Sequence, residues 1–184
     1  TWVTGENHYD QLVLAGTYQD GIFELDSPLY RKATVALSTV LKHLPPHPER
    51  KLFFRLRVDT ANDNNVNTIV RDFLGMIETN KINREEITIA SENPLLLDAI
   101  EAEGVQVSYL LTGINLIDNS GKYGAVTVDY TQLADTIEFV GKKPIDVWIS
   151  SCDINSCDQK FFENLDDLAE NANIRRVILP MFGL

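Results

Sequence analysis

Histidine is scarce in this chain, with three residues in 184. Imidazole is the usual side chain for proton transfer near neutral pH, so acid/base chemistry has few places to sit. His43 and His47 flank the stiff connector Pro45-Pro46-His47-Pro48, away from any expected strand end. Only His8 falls near one. Cysteine is rarer still, at Cys152 and Cys157. Two thiolates with no histidine nearby do not make a closed zinc site. They read as a small-loop disulfide or as two free thiols, according to compartment. No apolar run approaches the roughly 20 residues that cross a bilayer. No signal peptide stands at the start, and the chain opens at Thr1 rather than Met. That suits a processed or excised chain and leaves the compartment open. Positive charge is outnumbered, 16 Lys and Arg against 27 Asp and Glu, for a net charge of −11. Nucleic acid and anionic membrane are therefore disfavoured partners, and a soluble protein dispersed by its own repulsion is expected. GxSxG, HExxH, P-loop and GxGxxG patterns are all missing.

What is present is an alternation. Hydrophobic residues make up 44% of the chain, enough for one domain over 1–184. Segments rich in Val, Ile, Phe and Tyr read as strands: Trp2–Thr4, Gly21–Asp26, Lys51–Val58, Ile87–Ala90, Gln106–Leu111, Ala125–Val128, Ile145–Ser150 and Val177–Leu179. Between them, helical spacing and end signals predict helices over Tyr9–Ala15, Leu29–Leu44, Asn65–Thr79, Pro94–Glu103, Tyr130–Val140 and Phe161–Asn171. Gly104 and Gly141 stop two of these helices. Thr112–Lys122, with its Gly, Asn and Asp residues, reads as a loop. The pattern predicts an α/β fold, a small (β/α)8 TIM-type barrel with one or two helices missing or shortened. An open doubly wound sheet is the alternative.

In such folds chemistry sits where strands end. Side chains alternate along a strand, so Glu24 and Asp26 share one face of GIFELD, opposite Phe23 and Leu25. In FFRLRVD, Arg55, Arg57 and Asp59 share a face with Phe53, while Phe54, Leu56 and Val58 are expected under helices. Asp146, Trp148 and Ser150 share a face in the seventh strand. Two neighbouring strands would then set two acids against two arginines, which is tolerable when buried only if the charges pair. Three uses fit. The first is an internal salt-bridge cluster. The second is an anion pocket, with Arg57 facing a phosphate or carboxylate and Trp148 as a stacking wall or core plug. The third is a divalent-metal site at Glu24 and Asp26. Ser91-Glu92-Asn93 reads foremost as the N-cap of the following helix, and His8 foremost as a solvated residue.

Four segments, in order, resemble the glycerophosphodiester phosphodiesterase family, within the phospholipase-C-like phosphodiesterase barrels. These are DGIFELD, ITIASENPLLLDAIEAEGVQVSYLL, YGAVTVDYTQLADTIEFVGKKPIDVWI and RRVILP. The resemblance implies a TIM barrel in lipid metabolism. It also implies a Ca or Mg ion held at the positions of Glu24 and Asp26 plus a strand-three glutamate, with two histidines as acid and base. Here Arg55 stands at that glutamate position and Arg57 matches the basic residue that follows. The His-Arg pair expected after strand one is replaced by Val3-Thr4-Gly5-Glu6-Asn7, and the insertion carrying the second histidine is missing. Loss of each general acid/base group typically forfeits about 10²- to 10⁴-fold in rate. The expectation is a degenerate, non-catalytic member that needs no cofactor and binds a small phosphate- or carboxylate-bearing ligand through Arg55 or Arg57. The alternatives are an active metal-dependent hydrolase with rearranged ligands, using Glu24, Asp26, Asp59 and His8, and a purely structural module. Oligomeric state is not legible.

Overall fold

The computed structural model describes residues 11–19, 22–25, 34–36, 41–42, 51–58, 61–112, 121–148 and 171–178, the first three segments as backbone. They fall into two compact units, Asp10–Val107 and a second that joins Thr1–Tyr9 to Ser108–Leu184.

The unit Asp10–Val107 contains strands β1 (Gln11–Gln19), β2 (Ile22–Leu25), β3 (Thr34–Ala36), β4 (Lys51–Arg57) and β5 (Ile87–Ser91), and helices α1 (Val66–Thr79) and α2 (Pro94–Ala102). The strands lie in the order β3-β2-β1-β4-β5. Strand β4 runs parallel to β1 and β5, while β2 is antiparallel to β1 and β3.

This start differs from the sequence reading. The helix expected over Tyr9–Ala15 is instead largely strand β1, and the helix expected over Leu29–Leu44 contains strand β3, with only Leu41 and Lys42 helical among its described residues. The physical reason lies in the pairings. QLVLAG is a short apolar run, which fits a buried strand as well as a helix, and partners on both sides decide the matter. Gln19 faces Ile22 across the first hairpin, with Asp20-Gly21 between them. Asp-Gly between two strand-like segments is a strong hairpin sequence.

Strand β4 then builds outward as its alternation requires. Leu52, Phe54 and Leu56 are buried on one face, and Phe54 meets Phe73 of α1 edge-to-face at 5.4 Å between ring centroids. Helix α1 presents Val66, Val70, Phe73, Leu74 and Ile77 as its buried stripe, at helical spacing. Arg55 and Arg57 share the other face of β4 with Phe53. All five residues of β5 are buried, as expected of a parallel strand covered on both sides. Asn93 caps α2, its Oδ1 accepting from Leu96 N at 3.2 Å, and Pro94 supplies the first helical residue. Gly104, just beyond the end of α2, has φ +78°, a conformation that side chains disfavour. Outside the sheet, Arg84 ties the ends of α1 and α2 together. Its Nε donates to Glu78 Oε1 at 2.7 Å and its Nη1 to Glu103 Oε2 at 2.9 Å. The Glu103 and Glu78 hydrogen bonds raise its pKa from the ordinary value.

The second unit contains β6 (Gln106–Leu111) from Ser108 onward, β7 (Val126–Asp129), β8 (Ile145–Trp148), β9 (Ile174–Ile178) and helix α3 (Leu133–Val140). These four strands pair in sequence order, and every pair is parallel. Helix α3 follows a short 3₁₀ turn, Tyr130–Gln132, capped by Asp129, and ends at Gly141 with φ +64°. Tyr109 stacks on Tyr123 at 5.4 Å between centroids, and its buried hydroxyl meets no hydrogen-bonding group among the described residues. The strand expectations for Trp2–Thr4 and for Ile149–Ser150, and nearly all of the expected helix Phe161–Asn171, lie outside the described residues, as do Cys152 and Cys157. No helix among the described residues is long and apolar enough to cross a membrane.

Two stability changes follow from this packing. Phe73→Ala should lower unfolding free energy by about 3–5 kcal/mol in urea denaturation, because it opens a cavity beneath Phe54; a loss under about 1 kcal/mol would mean that α1 does not seal β4. Tyr109→Phe should leave stability unchanged or raise it by up to about 1 kcal/mol, because it deletes a desolvated hydroxyl without a partner among the described residues. A clear loss in that variant would show that the hydroxyl has a partner.

Candidate functional site

The arginines on β4 and the acid on β2 are the residues through which the sequence pointed to chemistry. The reading set their strands side by side. The structure corrects this, because β1 lies between β2 and β4. A hairpin returns β2 alongside β1, and β1 takes the place beside β4 through seven register pairs from Gln11↔Lys51 to Thr17↔Arg57.

Register nevertheless brings one acid and one arginine to the same level. Thr17 pairs with Glu24 on one side and Arg57 on the other, and Glu24 pairs with Thr34. Thr34, Glu24, Thr17 and Arg57 thus form one row across the four strands. Residues directly opposite each other in a sheet share a face, so this row places Glu24 and Arg57 on one face, two strand spacings or roughly 10 Å apart along the backbone. Arg55 lies in the row Ala15–Arg55–Ala90. Arg57 is exposed at the C-terminal end of β4 and Arg55 is half-buried, and both are engaged by neighbours. Asp26, Asp59 and His8 lie outside the described residues, as do Ser150, Ser151 and Asp153. Trp148 is half-buried at the end of β8, in the row Asp129–Trp148–Ile178, and belongs to the other unit. Ser91 and Asn93 do what the N-cap reading expected: Ser91 Oγ accepts from Asn93 N at 3.3 Å, and Asn93 caps α2. Among the described residues, no three His, Cys, Asp or Glu side chains converge on one point.

The second unit holds a polar group that the sequence reading noted only in part. Asp146, wholly buried, is in register with Thr127 of β7 and Arg176 of β9. Arg175 donates to it twice, from Nε to Oδ1 at 2.9 Å and from Nη2 to Oδ2 at 2.5 Å. Arg176 Nε lies 3.5 Å from the same Oδ1. Consecutive residues of a regular strand point to opposite faces, so one carboxylate could not normally collect both guanidiniums. The register shift at Ile145/Asp146 resolves this, since Ile145 pairs with Ile174 and Asp146 with Arg176, leaving Arg175 as the extra residue. A bulge re-aims a side chain in just this way. Burial lowers the pKa of Arg176 from its ordinary value; Asp146 opposes that shift and Arg175 adds to it. Nearby, Ser108 Oγ and Thr127 Oγ1 share a 2.7 Å hydrogen bond and are both buried. A single Asp inside the apolar strand Ile145–Trp148, with an Arg-Arg pair opening the next, was the signal for this cluster. A buried carboxylate must find a cation.

Solved structures that share the fold include two glycerophosphodiester phosphodiesterase-type proteins. One is a glycerophosphodiester phosphodiesterase from Parabacteroides distasonis ATCC 8503, with TM-score 0.57 and 17% identity, matched over 79% of this chain. This chain spans 59% of the length of that protein. The other is a candidate glycerophosphodiester phosphodiesterase from Galdieria sulphuraria, with TM-score 0.58 and 12% identity, matched over 94% of this chain and 82% of its own. At these identities the likeness is one of fold, and at that level it bears out the family resemblance carried by the four sequence segments. No family sequence model matches the chain, and no curated protein matches it in sequence.

The ion cluster makes a measurable claim. Asp146→Asn should destabilise the protein by about 3–5 kcal/mol in urea, because it strands the largely covered guanidinium of Arg176. Arg175→Met should lose less, since Arg176 still answers the carboxylate and Arg175 remains partly exposed. Equal, small losses from both would show that the cluster adds nothing to stability.

Proposed function

We propose that this chain is a glycerophosphodiester phosphodiesterase-like barrel domain that binds a small phosphate- or carboxylate-bearing ligand without hydrolysing it, with Arg57 as the principal anion-binding side chain. The observation that carries the reading is the position of Arg57. It is exposed at the C-terminal end of a parallel strand, on the face away from α1 and in the same row as Glu24. Ligands of α/β folds gather at that end of the strands. A guanidinium has five N–H donors in a planar fork that matches a phosphate or carboxylate.

The same residues argue against the metal chemistry that the family resemblance implies. A divalent cation of the Ca or Mg kind takes oxygen ligands. Arg55 stands where the resemblance asks for a third carboxylate, and a guanidinium supplies a positive charge instead of a lone pair. Arg57, in Glu24's row, adds a second positive charge on that face. The residues thus do not suit a metal centre of the family's kind.

Calorimetric titration with glycerol phosphate tests the proposal, alongside an assay of glycerophosphodiester hydrolysis with Ca or Mg supplied. Saturable binding without turnover is expected. Arg57→Ala should weaken it about ten- to a hundred-fold, the worth of a charge-assisted hydrogen bond, with the unfolding midpoint of that variant unchanged. Metal-dependent turnover abolished by Glu24→Gln would overturn the proposal in favour of an active hydrolase with rearranged ligands. Absence of both binding and turnover would leave a structural module.

A further inference from the structure

We draw no further inference here: the strongest candidate, the Asp146–Arg175–Arg176 cluster on β8 and β9 with the Ser108–Thr127 pair beside it, is an ion network whose guanidiniums are already engaged by Asp146, and nothing in the structure shows a ligand that it would take.

Discussion

A strand offers its side chains two directions, and in β4 one of them is closed by α1. Phe54 packs against Phe73, with Leu52 and Leu56 buried on the same face. Once that face is set, Arg55 and Arg57 have no choice of side. A slip of one residue would bury both guanidiniums under a helix and push Phe54 out, a change opposed by both apolar burial and charge desolvation. The position of the candidate anion contact is therefore a consequence of the apolar packing on the reverse of the same strand.

The two units treat arginine in opposite ways. On β4 the guanidinium at the strand end stays exposed, where water pays part of its solvation and a ligand can reach it. On β9 the two guanidiniums gather on a carboxylate that has no contact with solvent, and Arg176 is itself largely covered. In a low-dielectric setting the loss of hydration is tolerable only with close, well-directed partners. The bidentate geometry of Arg175 and the bulge that permits it are such a solution. The arrangement pins the pairing of β8 and β9 and makes Asp146 a structural residue rather than a reactive one.

Most of the central and later elements were legible in the residues themselves. Pro94 after Asn93, and the glycines at 104 and 141, mark helix ends that the structure places within a residue or two. Gln106–Leu111 is the strand it was read to be. In the N-terminal third the strands around Ile22–Leu25 and Lys51–Arg57 were legible, but the helices expected over Tyr9–Ala15 and Leu29–Leu44 were not borne out, because runs such as QLVLAG and ATVAL have no period that separates strand from helix. The Asp20-Gly21 pair was the available clue. Missing it had a specific result: β2 was taken as a parallel neighbour of β4, when it is joined through a hairpin to β1. Glu24 and Arg57 fall in one row only through Thr17, which is in register with both.

Composition, alternation and the order of the four family-like segments together determined the broad class of the fold and the helix-facing side of β4. Those are local properties, set by side-chain period and residue chemistry. Tertiary structure alone decided that Glu24 and Arg57 share one register row with β1 between them, and that Asp146 draws in two consecutive arginines through a bulge. Both depend on strand pairing between residues distant in the chain, and a single sequence holds no periodic signal for which strand will lie beside which.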